Sequence, residues 1–219
     1  PQRIFKQRQL GHKTAQIFVN FLVVAGLLIT LFGIPTLAAA QTTFPLSESF
    51  MGASAPGWIL GGTAVLTSNN GDPLNNGWLR LTKAATYQVG YAYYNTPILT
   101  GRGLVITFDY AAWGGAAADG LTFFLFDGAT TAFNIGASGG SLGYAQKTGV
   151  NGLSNGYLGL GLDEFGNYSN PNEGRVGGTG FVPEAVAIRG PGNLKSGYAY
   201  LAGTKNITPA LPKLDCPKN

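Results

Sequence analysis

From residue 41 onward, no segment of this sequence has the sustained apolar periodicity that a long amphipathic helix needs. Gly, Asn, Ser and Thr interrupt it every few residues. The apolar runs between these breaks are short and rich in aromatic or β-branched side chains, a strand signature. Leu104-Val105-Ile106-Thr107-Phe108-Asp109-Tyr110 and Leu121-Thr122-Phe123-Phe124-Leu125-Phe126 read as strands with at least one buried face. Tyr157 to Asp163 alternates cleanly, with Leu158, Leu160 and Leu162 on one face and Gly159 and Gly161 on the other. Val186 to Arg189 is a further short strand. Turn clusters such as Ser68-Asn69-Asn70-Gly71-Asp72-Pro73 and Asn75-Asn76-Gly77 separate such runs. The pattern predicts an all-β sandwich of two antiparallel sheets. With 34 Gly in 219 residues and only 11% charged side chains, coiled coils and charge-driven disorder are excluded.

The first forty residues are of another kind. Arg3, Lys6, Arg8, His12 and Lys13 precede an uncharged apolar run over residues 17–37, which ends in Ala38-Ala39-Ala40-Gln41. Basic start, apolar middle and small-residue end describe a secretory signal, and the run is also long enough to remain as a membrane anchor. Either form exports the rest of the chain, to the cell surface or beyond. Residues 1–40 are thus read as signal or anchor, 41–201 as the β-sandwich domain, and 202–219 as a Pro-containing tail or the truncated end of that domain.

Removing the leader removes four basic residues (Arg3, Lys6, Arg8, Lys13) from the 14 in the chain and none of the 10 acidic ones. The remainder carries ten of each sign, so the basic balance belongs to the leader. A nucleic-acid partner is disfavoured, because neutralising phosphates requires a basic patch. The one His leaves with the leader, which excludes Ser-His-Asp and Cys-His catalysis and imidazole-based zinc sites in the mature part. The lone Cys216 has no partner for an intramolecular disulfide, and its role is undetermined.

Three segments carry candidate chemistry. Ala117-Ala118-Asp119-Gly120 places a carboxylate at the entry of a strand, where an ordinary turn is the plain alternative. Gly136-Ala137-Ser138-Gly139-Gly140-Ser141-Leu142-Gly143-Tyr144 lacks the Lys and the following helix of a phosphate loop, and fits a close-approach loop offering bare backbone N–H groups. In Gly161-Leu162-Asp163-Glu164-Phe165-Gly166-Asn167-Tyr168-Ser169-Asn170-Pro171, the Asp163 side chain, the Phe165 carbonyl and the Asn167 side chain fall at alternate positions, with Asn170 beyond. Oxygen ligands so spaced suit a hard cation such as Ca²⁺, although an Asn/Gly-rich hairpin turn would give the same pattern.

Taken in this order, with the Phe108-Asp109-Tyr110 strand, the segments resemble the bacterial branch of the legume-type (L-type) lectin domain. The resemblance spans residues 50–200. It implies a concanavalin A-like jelly roll and a non-catalytic carbohydrate-binding function. By the same resemblance, Asp119 follows a cis Ala118–Asp119 bond and accepts from sugar hydroxyls. Gly139 or Gly140 donates a backbone N–H, Asn167 donates its amide, and Phe165 stacks on the apolar face of the ring. Asp163, Phe165, Asn167 and Asn170 would be the Ca²⁺ ligands. Such domains cluster weak sites for avidity, so a homo-oligomer is compatible with this reading.

The chain departs from the family in three ways. Gly161 replaces the Glu of the plant transition-metal site and no His follows, so no transition metal is expected. Asn170 stands for the last Ca²⁺-ligand Asp and is neutral, with Asn172 or Glu173 as substitutes. The late strands and a sugar-choice loop do not follow the Tyr198-Ala199-Tyr200 region. Two other functions remain in view. A jelly-roll glycoside hydrolase needs two carboxylates about 5–10 Å apart across the sugar, and positions 161, 163 and 165 supply only Asp163. A structural or adhesion sandwich would have no sugar site at all. Trp58, Trp78 and Trp113 are sugar platforms or core, with at least two assigned to the core. The sequons Asn167-Tyr168-Ser169 and Asn206-Ile207-Thr208 are short patterns of low specificity.

Overall fold

The computed structural model of the protein describes residues 44–115, 117–205, 207–208 and 211–214. The signal or anchor segment, the Asn206 sequon and Cys216 lie outside the described residues. Among those residues the chain is all-β, with strands β1 (Trp58–Gly62), β2 (Val65–Leu66), β3 (Leu79–Arg80), β4 (Gly90–Tyr94) and β5 (Gly120–Phe126). They continue as β6 (Gly156–Asp163), β7 (Ala185–Arg189), β8 (Gly192–Asn193), β9 (Ser196–Gly197) and β10 (Tyr200–Gly203). Helical structure among the described residues is limited to two single 3-10 turns, Gly139–Ser141 and Asn172–Gly174. No described helix is long and apolar enough to cross a membrane.

Every strand pairing is antiparallel. β1 pairs with β4 and β2 with β3, while β6 is the centre of a larger sheet. On one side of β6 lies β7, followed by β10, and β5 pairs with it on the other. The register sets Gly120 opposite Asp163 and Asp163 opposite Ala185. The start of β5 and the end of β6 therefore lie side by side, and the loops that leave them meet at one end of the sheet.

The alternation in β6 has a packing reason. Gly159 and Gly161 lie beneath aromatic rings: a Cβ on Gly159 would sit 2.5 Å from the Tyr144 ring, and one on Gly161 would collide with Tyr168. Bare glycine on this face lets Tyr144 and Tyr168 lie flat against the backbone. Together with Tyr198, Leu153, Ala145 and Ala187 they form the buried core. Each buried phenol finds an acceptor, since Tyr144 donates to Gly190 O (3.0 Å), Tyr168 to Gly159 O (3.2 Å) and Tyr198 to Leu153 O. Satisfying these hydroxyls removes the penalty of burying them.

Arg189 from β7 completes this layer. It is fully buried, and its guanidinium donates to the carbonyls of Tyr168 (2.8 Å), Val176 (2.9 Å) and Tyr198 (2.9 Å). Its charge centre also lies 5.4 Å from the Tyr168 ring centroid. Burial lowers its pKa to about 10, so it remains charged at neutral pH. One side chain thereby ties the loop after β6 to the segment before β10.

Residues 104–110 correct the sequence expectation. The strand pattern there is strong, yet these residues form no strand and, Leu104 apart, are exposed. Strand residues need a hydrogen-bonded neighbour, and no described strand pairs with them. Their attachment runs through side chains, with Phe108 stacked on Phe123 at 5.9 Å between centroids. The tryptophans need correction as well. Trp58 is half-buried between Phe50 and Tyr94, and Trp78 and Trp113 are 62% and 67% exposed, so none of the three belongs to the buried core. At the other end, β10 carries the sheet past the boundary expected at residue 201, to Gly203, and Thr204 continues it by exchanging hydrogen bonds with Val186.

Candidate functional site

Three distant stretches of chain meet at the β5/β6 end of the large sheet. Asp119 precedes β5, and its preceding bond to Ala118 is cis, as the resemblance implied. Its carbonyl accepts from the Phe165 N–H at 3.3 Å, which joins the entry of β5 to the loop after β6. The glycine loop closes over both. A Cβ on Gly139 would stand 4.0 Å from Asp119 Oδ2, and one on Gly140 would strike the Cβ of Asn167. Gly139 also has φ +72, in the left-handed region that favours glycine. A side chain at 140 would collide with Asn167, and one at 139 would require a strained backbone.

Asp119, Gly139, Gly140 and Asn167 thus share one small region. Asp119, Gly139 and Asn167 are half-buried and Gly140 is buried. Phe165 follows on the same loop, 42% exposed, its ring edge-on to Phe181 at 5.4 Å. Burial is the largest influence on Asp119 and raises its pKa. Lys147 opposes that shift, Glu173 reinforces it and Arg175 opposes it. The region therefore holds a carboxylate and an amide beside a bare backbone, with the exposed Phe165 ring on the loop that also carries Asn167.

Asp163 plays another part. Its side chain is fully buried, and its two oxygens accept from the backbone N–H of Gly166 (2.8 Å) and Tyr168 (2.6 Å). Burial raises its pKa to about 6, against the lowering effect of the Gly166, Tyr168 and Asn167 N–H groups. This carboxylate folds the loop after β6 back on itself. It is sealed from any ligand lying over Asp119, so the pair does not present two facing carboxylates of the kind glycoside hydrolysis requires.

The expected cation ligands lie at the end of β6 and on the loop that follows it. Asp163 has an N–H on each oxygen, and Asn167 Oδ1 accepts from the Asn170 amide at 3.4 Å. Asn170 Oδ1 accepts from the Asn172 N–H at 3.3 Å. Among the described residues no three carboxylate, imidazole or thiol groups cluster. These four residues are brought together, and the side-chain oxygens of Asp163, Asn167 and Asn170 accept from protein donors. The set holds a single carboxylate and otherwise neutral oxygens, the composition of a low-affinity site for a divalent cation.

One member of the cluster was absent from the sequence reading. Arg175 is 3% exposed and stands between the glycine loop and the Asn172–Gly174 turn. Its guanidinium donates to Ser141 Oγ (3.2 Å), Asn170 O (3.0 Å), Glu173 Oε2 (3.0 Å) and Asn172 Oδ1. The available signal was an Arg within an Asn/Gly-rich loop of a chain poor in charge. Compared with known proteins, the chain matches no family model and no curated protein.

Proposed function

We propose that this chain is an exported, non-catalytic carbohydrate-binding domain of the L-type lectin kind, built on a concanavalin A-like jelly roll. One observation carries the reading: Asp119, the bare Gly139-Gly140 backbone and Asn167, far apart in sequence, converge at one end of a sheet. A sugar ring has hydroxyls on its rim and C–H groups on its faces. Asp119 would accept from two adjacent hydroxyls, the Gly139 or Gly140 N–H and the Asn167 amide would donate, and exposed Phe165 would lie against a C–H face.

The chemistry also argues for binding over turnover. Asp163 is sealed by its own loop and Glu173 is ion-paired with Arg175, so neither stands as a free acid facing Asp119. A half-open site with one charge gives weak, reversible retention, which clustering of several copies would strengthen. The test is a glycan array probed with the wild-type chain, Asp119→Ala and Asn167→Ala. Retention by the wild type and loss in both variants is expected. Equal signal from all three, or none from the wild type, would favour a structural sandwich without a sugar site.

A further inference from the structure

We propose that Arg175 is the positioning cation of this site, holding as an internal guanidinium the loops that a divalent ion would otherwise organise. The argument starts from the acceptors. Three residues were candidates to complete a cation's coordination: Asn170, Asn172 and Glu173. All three turn an oxygen to Arg175, through Asn170 O at 3.0 Å, Asn172 Oδ1, and Glu173 Oε2 at 3.0 Å. The remaining N–H contact reaches across to Ser141 Oγ at 3.2 Å, in the turn that carries Gly140. A planar fork with five donors serves several oxygens at once, as a metal ion does, with no ion to recruit.

The consequence bears on the ligand-facing groups. Ser141 follows Gly140, and a Cβ on Gly140 would sit 3.4 Å from Arg175 Nη1. Asn170 in turn donates its side-chain amide to Asn167 Oδ1. Arg175 thus fixes the glycine loop directly and the Asn167 side chain through Asn170. Gln146 Nε2 to Gly174 O (3.1 Å) and Thr148 N to Glu173 O (2.7 Å) join the same two segments, but neither reaches Asn170 or Asn172. Glu173 is the ion-pair partner that offsets the guanidinium charge. The role of Arg175 in presenting a ligand rests on the carbohydrate reading; its role in holding the loops does not.

The test has two arms, both on the full chain. In the first, calcium chloride alone is titrated into the wild type by calorimetry, and thermal unfolding is followed with calcium and with chelator. No saturable heat and an unchanged midpoint are expected; saturable binding that raises the midpoint would overturn the proposal. In the second, amide hydrogen exchange is compared among wild type, Arg175→Lys and Arg175→Ala. Residues 139–141 and 167–175 should exchange faster by about tenfold or more in both variants, the change expected for losing hydrogen bonds to a charged group. Amides of β6 and β7 should keep their protection, and methylguanidinium, but not calcium, should restore the loops of Arg175→Ala. Unchanged loop exchange, or restoration by calcium, would overturn the proposal. Loss of protection throughout β6 and β7 in both variants would make Arg175 a general stability residue and overturn it too. If the wild type retains no glycan, the carbohydrate reading falls, while both arms still judge Arg175.

Discussion

Asp119 and Asp163 are two carboxylates at the same end of one sheet, and their surroundings give them opposite tasks. Asp163 turns inward to backbone N–H groups, whereas Asp119 keeps an oxygen near the bare Gly139. On the carbohydrate reading, Asp119→Asn keeps the shape and removes the charge that would strengthen its hydrogen bonds to sugar hydroxyls. Two charge-assisted bonds reduced to neutral ones predict glycan retention weakened by roughly tenfold to a hundredfold, with the thermal midpoint unchanged, as titration calorimetry and a melting curve will read. Arg189 lies at the other extreme, fully buried with several carbonyls depending on it. Arg189→Met leaves those acceptors without a donor. It should cost about 3 kcal/mol or more in urea unfolding.

Among the elements, β6 decides the layout, because its glycine face accepts the tyrosine layer and its last residue opens the site loop. Gly159→Ala places a methyl within the radius of the Tyr144 ring. Overpacking of this kind predicts a loss of about 1–3 kcal/mol, seen as a lower urea midpoint at constant slope. The alternation that makes β6 work was legible in Leu158, Gly159, Leu160, Gly161 and Leu162, since one strand's own spacing records which face is bare. Residues 104–110 have an equally good pattern and form no strand, because a ladder needs a partner that no local spacing can supply. The convergence of Asp119, Gly139, Gly140 and Asn167 could be anticipated only through the resemblance. Arg175 was not anticipated, because its four acceptors come together only after two loops have folded against each other.

At the scale of the whole molecule, the core is unusual in resting on phenols. Tyr144, Tyr168 and Tyr198 are completely buried, and burial raises the pKa of each above the ordinary tyrosine value. The native state therefore keeps these protons at a pH where the unfolded chain releases them. Stability from this source is complete below about pH 10 and declines as pH climbs beyond it. Spectrophotometric titration should show these three phenolates appearing only as the fold is lost, after the exposed tyrosines among the ten in the chain have ionised. The same phenol layer supports the loops at the end of the sheet, since Tyr168 lies between Asn167 and Ser169 and its carbonyl is held by Arg189.

The proposed function is tested most directly by backbone nuclear magnetic resonance on the labelled wild-type chain, titrated with the best-retained glycan. Saturable shift changes should concentrate at Asp119, Gly139, Gly140, Phe165 and Asn167, and should vanish in Asp119→Ala. Shifts that saturate on another surface, or a spectrum that no glycan moves, would contradict it.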